Sequence, residues 1–253
     1  MPYLNPDSVI LVTGATGGIG FEIASQAAFH GAVVGVHGSR QETVDRAVER
    51  LSSSQPEARL VAAAGDFTQP GVVDDVVDRI ASTAGRLDAV IHCAITGAPG
   101  TAGLFSETDP TQYGLTADYI LGTFQRLCFA ARPHLAKQGG AIVGFISDAG
   151  RYPAAHQSII GASFGGMVAF VRNLSMEVSR DAIRIHIISP SYVVDTPVYE
   201  LRAMRGRTES ALKRAGLGLP SPKDIAPTAL FLCGPDSSKL TGQIISINGG
   251  LNA

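Results

Sequence analysis

Short apolar runs rich in valine and isoleucine alternate along the 253 residues with longer stretches whose apolar side chains recur every three or four positions. The short runs predict strands at about 8–14, 32–38, 58–66, 87–94, 139–147, 183–189 and 242–248. The longer stretches predict helices at about 20–31, 40–53, 71–85, 111–137, 157–180 and 223–233. Each strand is apolar nearly throughout rather than alternating, so both faces of the sheet must be covered. Strands separated by helices in this way predict an α/β fold in three layers. The sheet is then a doubly wound, seven-stranded parallel sheet of the Rossmann type with helices on both faces. No linker tract, repeat or low-complexity block interrupts the pattern, and residues 1–253 read as a single domain. The least regular stretch, about 191–221, is the candidate substrate lid over the strand ends.

Composition narrows the partners. Hydrophobic residues make up 45% of the chain and charged residues 17%, which supports a sizeable core. A net charge of −2 leaves no footprint for nucleic acid or an anionic membrane surface. The opening "MPYLNPDSVILVTG" lacks the pattern of a signal peptide, and no run approaches the roughly 18 apolar residues that span a bilayer. Cys93, Cys128 and Cys233 are odd in number and far apart, as expected of reduced thiols in a cytoplasmic protein. No metal-ligand spacing is present. The expected partners are small molecules or other proteins.

Chemistry concentrates at strand ends. "TGATGGIG" sets Gly14, Thr16, Gly18, Ile19 and Gly20 between the first strand and first helix, where backbone N–H groups can approach a pyrophosphate at the helix N-terminus. The second strand ends in "VHGSRQE". Gly38 stands where a carboxylate would bind the ribose hydroxyls of NAD, and Ser39 and Arg40 follow as donors suited to a 2′-phosphate. The expected cofactor is therefore NADP(H); the alternative is that Arg40 is an ordinary surface residue of the first helical turn.

The spacing TGxxxGxG resembles the short-chain dehydrogenase/reductase family, and the resemblance covers nearly the whole chain. Asp66, with Phe67 after it, falls where the family contacts adenine. "IHCAI", with Cys93 and Ala94, falls at the NNAG motif. "SPSYVVDTP" resembles the loop beside the nicotinamide, which brings in Pro190, Val193 and Thr196, and the ending "LTGQIISINGG" resembles the family's C-terminus. The nearest flavour is that of 3-oxoacyl-carrier-protein reductases. The resemblance implies a serine, tyrosine and lysine that together reduce a carbonyl, and a homodimer or homotetramer joined through the long helices.

At the chemical end the pattern breaks. Ser147 holds the serine position, but counting onward from it places Ile160-Gly161-Ala162-Ser163-Phe164 where the resemblance implies YxASK. Both proton-handling residues are replaced by apolar ones. Without a positioned acid, reduction of an ordinary ketone should slow by roughly two to four powers of ten. Tyr119 and His156 are candidate replacement acids; Tyr119 reads equally as a packing partner of Phe164, and His156 as a solvated loop residue. Asp148 could stabilise a cationic acceptor or merely hold its own turn. Tyr152, Ile160, Phe164 and Tyr192 are expected to wall a hydrophobic substrate pocket. The function expected is hydride transfer to a hydrophobic carbonyl, enone or imine. Non-redox chemistry on the same scaffold, or a silent NADP(H)-binding sensor, remain the alternatives. His92 and His186, inside apolar strands, read as satisfied interior histidines. The basic residues between Arg202 and Arg214 read as a solvated face or a landing patch for a carrier protein or phosphate.

Overall fold

The structure, a computed structural model, describes residues 4–95, 100–204 and 208–252. Seven strands form one parallel sheet: β1 (Val9–Thr13), β2 (Val33–Gly38), β3 (Arg59–Ala64), β4 (Ala89–His92), β5 (Gly140–Phe145), β6 (Ile183–Ser189) and β7 (Ile244–Ser246). Their order is β3-β2-β1-β4-β5-β6-β7. The order reverses between β1 and β4, which pair from Ile10 with Ala89 to Thr13 with His92, and this reversal opens the ligand crevice of such sheets.

The strands are apolar on both faces because each face carries its own core. Val9 and Leu11 of β1 point into one cluster, Ile10 and Val12 into the other. The first is capped by α3 (Val72–Ala84), α5 (Thr123–Leu135) and α6 (Ser158–Val178), the second by α1 (Gly18–Phe29), α2 (Gln41–Ser54) and α9 (Pro222–Cys233).

Three expectations need correction. The long helix expected over 111–137 is interrupted: α4 (Tyr113–Ala117) runs into a π-helical turn at Asp118–Gly122 before α5 begins. Gly122 permits this, since a Cβ there would collide with the Asp118 carboxylate, which instead reaches back to Arg126 at 2.7 Å. The stretch 191–221, expected to be the least regular, contains two helices, α7 (Pro197–Met204) and α8 (Glu209–Arg214). Finally, Ser158–Asp181 is long and apolar enough to cross a membrane, with a mean hydropathy of 1.3. Its Phe164, Met167, Val168, Val171 and Val178 are buried in the core cluster beneath the sheet, and a third of that apolar window is buried.

Candidate active site

The glycine turn is closed toward the protein and open toward the crevice. Gly14 turns the chain at φ +68°, and a Cβ there would lie 2.8 Å from the Ala94 nitrogen, so the Cys93–Ala94 backbone presses directly on the turn. A Cβ on Gly20 would collide with the Gly14 carbonyl oxygen. Among the described residues, a Cβ added to Gly17 would meet no non-neighbouring atom within 4 Å, and one on Gly18 only the Thr196 methyl at 3.6 Å. Backbone is thus exposed where α1 begins, as an approaching pyrophosphate requires.

At the end of β2, a Cβ on Gly38 would lie 2.5 Å from the methyl of Thr16. Ser39 and Arg40 are exposed, and no ion pair engages Arg40 among the described residues. Asp66 is exposed as well, one carboxylate oxygen accepting from the Thr68 backbone at 3.0 Å and its hydroxyl at 2.8 Å. The Phe67 ring is buried and stacks on His37, centroids 4.1 Å apart, which leaves its backbone to face a ligand. Burial lowers the His37 pKa to about 4, against a raising contribution from its 2.9 Å contact with the Gly65 carbonyl.

A cleft of about 500 Å³ opens beside the glycine turn. Gly17, Gly18, Ile19 and Gly20 form one wall, Cys93, Ile95 and the β5 end at Phe145–Ser147 the floor, Gln157, Ile160 and Phe164 of the α6 start the far side, and Pro190, Ser191, Val193 and Thr196–Val198 the roof. Ser147, Ile160 and Phe164 therefore meet in one place. Their approach is fixed by two glycines: a Cβ on Gly150 would lie 2.6 Å from the Phe164 Cβ, and one on Gly161 2.7 Å from the Ala149 carbonyl oxygen. Ser147 is half-buried, and its hydroxyl accepts from the Ala149 N–H at 3.4 Å, a long bond that leaves it available to a ligand. The described lining holds no carboxylate, ammonium or guanidinium group. Its polar groups are neutral: the Ser147 and Ser191 hydroxyls, the Gln157 amide, Thr196 and the Cys93 thiol, whose pKa burial pushes up.

Five residues expected in catalysis or in the substrate pocket lie outside this lining. Tyr119 sits in the π turn and packs, with Ile95 and Ile160, against the core cluster of Phe164 and Phe124, which matches its packing alternative. His156 is exposed at φ +67°, as the solvated-loop alternative has it. Asp148 is buried, its carboxylate taken up by the Ser189 hydroxyl and the Asn248 and Asn252 amides at 2.7–2.9 Å, so it is neither a lining residue nor a free counter-ion. Tyr152 lies under the Arg151 guanidinium, and Tyr192 packs with Leu219 against a small separate cluster of Ala211, Ala215 and Leu251. Thr196 lines the roof, but its hydroxyl donates to the Val193 carbonyl at 2.7 Å and caps α7. Of the basic cluster, Lys213 and Arg214 are exposed, while Arg205 and Arg207 fall outside the described residues.

Sequence reasoning missed Gln157, Ile95, Pro197 and Val198. Gln157 carries the one faint signal, a polar residue one turn before Ile160 at the start of a helix pointing into the crevice. The interior histidines are also less satisfied than expected. His92 meets the Thr13 hydroxyl through Nδ1, but among the described residues its Nε2 has no partner, and neither nitrogen of His186 has one in hydrogen-bond geometry.

Comparison with known proteins agrees with this geometry. A family model described as enoyl-(acyl carrier protein) reductase matches residues 14–252. The 3-oxoacyl-[acyl-carrier-protein] reductase FabG of Chlamydia muridarum is 32% identical, over 99% of this chain and 100% of its own. The short-chain reductase protein NovJ of Streptomyces niveus is 28% identical, over 98% and 95%. The solved L-sorbose reductase of Gluconobacter frateurii, complexed with NADPH and L-sorbose, superposes with a TM-score of 0.90 over 99% of this chain and 98% of its own, at 24% identity. With its sheet order, its glycine turn and these likenesses over almost its full length, the chain belongs to the short-chain dehydrogenase/reductase family of oxidoreductases.

Proposed function

We propose that the protein binds NADP(H) and acts as an atypical reductase on a hydrophobic carbonyl, enone or imine, without the tyrosine and lysine of its family. The observation that carries this reading is the meeting of Ser147 with Ile160 and Phe164 in one cleft beside the glycine turn. The residues present fit a dinucleotide. The cradle at Gly14 and Gly20 would be filled by any Cβ, the approach at Gly17 and Gly18 is open, and Arg40 is exposed next to Gly38 where NAD would want an acid. Bound NADPH would supply a hydride.

The chain's own groups then set what can accept it. Ser147 and the Gln157 amide are the neutral donors that could hold an acceptor oxygen. The apolar walls exclude water, which strengthens those bonds and selects apolar substrates. No strong acid lines the described cleft to protonate an alkoxide as it forms. Acceptors that need none are favoured: an iminium, which hydride leaves neutral, or an enone, whose charge spreads as an enolate.

The same reading includes a homodimer or homotetramer joined through α5 and α6. Phe129 and Met176 stand about four-fifths exposed on these helices, beside a cavity of about 720 Å³ lined in part by Cys128, Phe170 and Leu174. A cytoplasmic location goes with the resemblance, and Lys213 and Arg214 offer charge to a carrier-bound substrate. The test is NADPH consumption across matched apolar ketones, enones and cyclic imines, with product analysis. Enone or imine turnover should exceed ketone turnover by about a hundredfold or more. Substrate conversion with no change in cofactor absorbance would replace this reading with the non-redox one. Absence of any conversion, together with a silent Ser147→Ala, would replace it with the sensor.

A further inference from the structure

Asp148 follows Ser147 and is 3% exposed. Its carboxylate accepts three hydrogen bonds from parts of the chain far away in sequence: the Ser189 hydroxyl at 2.7 Å, Asn248 Nδ2 at 2.7 Å and Asn252 Nδ2 at 2.9 Å. Its backbone carbonyl takes the N–H groups of Arg151 and Tyr152, at 2.9 and 2.8 Å. One residue thus fixes the turn that bears Ser147 and grips the C-terminal segment.

That segment is itself tightly folded. Asn248 donates to the Asn252 carbonyl at 2.9 Å, and the Gly250 N–H returns to Asn248 Oδ1 at 3.1 Å. From there the connection runs to the lid. Leu251 packs with Ala211 and Ala215, the Leu217 N–H donates to the Gly249 carbonyl at 3.0 Å, and a Cβ on Gly249 would collide with the Gly218 carbonyl. The Pro220 carbonyl accepts from the Val194 N–H at 2.9 Å, next to Val193 of the cleft roof.

We propose that Asp148 is a positioning residue: its carboxylate latches residues 248–252 onto the Ser147 turn, and these residues hold the 208–220 segment that supports the cleft roof. The inference rests on the proposed reading of the cleft as the active site only for its functional meaning; the latch itself is a matter of these contacts. A buried carboxylate needs its donors, and amide donors placed opposite it are stronger partners than they would be for a neutral acceptor. Both asparagine amides meet the same carboxylate oxygen, and the other takes the Ser189 hydroxyl. Alanine at 148 would remove that acceptor and leave the amides unpaired, whereas asparagine could keep its oxygen toward them and turn its NH2 to the Ser189 hydroxyl, which can accept.

Limited trypsin digestion well below the melting temperature tests this, since Lys213 and Arg214 lie on α8 within the latched segment and Arg46 and Arg50 on α2 serve as controls. Asp148→Ala and Asn252→Ala should each speed cleavage after Lys213 and Arg214 by about tenfold, with the α2 sites unchanged. The conservative Asp148→Asn keeps an acceptor for both asparagines and should retain most of the protection, which a merely structural loss of the side chain at 148 would not predict. Unchanged cleavage in Asn252→Ala, equal acceleration at the α2 sites, or Asp148→Asn no better protected than Asp148→Ala would overturn the latch. NADPH titration of the wild-type protein bears separately on the active-site reading, because its failure leaves the digestion comparison intact.

Discussion

The Thr13 hydroxyl lies 2.8 Å from Nδ1 of His92, a buried bond that joins the last residues of β1 and β4 directly below the glycine turn. The imidazole is fully buried and stacked on Phe124, centroids 5.6 Å apart, and burial lowers its pKa to about 3. His37 and His186 are lowered to about 4, in both cases chiefly by burial. All three are neutral in the fold and gain a proton far more readily when unfolded. The unfolded chain therefore binds more protons below about pH 6.5, and the stability these residues contribute is complete above that value and lost as pH falls toward 4. The slope for each is up to about 1.4 kcal/mol per pH unit. Denaturant melts between pH 7 and 4.5 should show this loss, and His92→Asn should flatten the slope by about a third if the three histidines share it evenly.

Arg40 and Gly38 yield a prediction about cofactor choice. Arg40→Ala should weaken NADPH binding by about tenfold or more and leave NADH nearly unchanged, the loss of a charge-assisted bond to the 2′-phosphate. Gly38→Asp should not produce a clean NADH enzyme. Its Cβ would meet the Thr16 methyl at 2.5 Å, so the side chain of Thr16 must move first. A smaller residue at 16 together with Gly38→Asp should bind NADH better than either change alone, measured by fluorescence titration of both cofactors.

Regular patterns were legible in the chain, and local exceptions were not. All seven strands fall within the apolar runs, because burial on both faces leaves a continuous signal in the five inner strands and the edge strands β3 and β7, only partly buried, are still mostly apolar. The π turn at Asp118–Gly122 leaves no such mark, since one extra residue in a turn barely disturbs helical periodicity, and it decides where Tyr119 points. The stacking of Phe67 on His37 was not legible, because His37 comes from a neighbouring strand, a pairing that no local window contains. Gln157 was passed over since a polar residue at a helix start ordinarily faces water. Asp148 was legible as a turn residue, yet its donors lie 41 to 104 residues away.

The seat of α6 against the Ser147 turn is tight enough to predict a stability effect. Gly161→Ala would place its Cβ 2.7 Å from the Ala149 carbonyl oxygen, a backbone atom that cannot swing aside. The substitution favours the helix by about 1 kcal/mol in intrinsic propensity. Overpacking opposes it by typically 1–3 kcal/mol, and the steric term should win. A lowered thermal midpoint for Gly161→Ala, set against a neutral or raised one for Gly165→Ala, whose Cβ would meet its nearest atom at 3.7 Å, checks the geometry.

Placing a tyrosine and a lysine at 160 and 164, where the sequence resemblance sets the family's pair, tests the proposed chemistry. Ile160→Tyr places a phenol at a half-buried position lining the cleft beside Ser147, and should fold. Phe164→Lys is different. Phe164 is 5% exposed within the α3–α5–α6 core, with Gly150 and Tyr119 around it, so the ammonium displaces apolar contacts and has no carboxylate in the described cleft lining to meet. The single Phe164→Lys change should cost about 3–5 kcal/mol, the range for emptying a large aromatic site, before any penalty for the charge. Ile160→Tyr alone should raise NADPH-dependent reduction of a simple apolar ketone, and the double variant should raise it further, within the roughly hundred- to ten-thousandfold range of a positioned acid. Bound NADPH should also offset part of the double variant's lost stability, because the lysine gains a partner in the cofactor ribose only when the dinucleotide is present. Thermal midpoints with and without NADPH, beside ketone reduction rates, measure both effects. A double variant that folds and binds NADPH yet reduces the ketone no faster than wild type would show that Ile160 and Phe164 do not stand where the missing pair belongs.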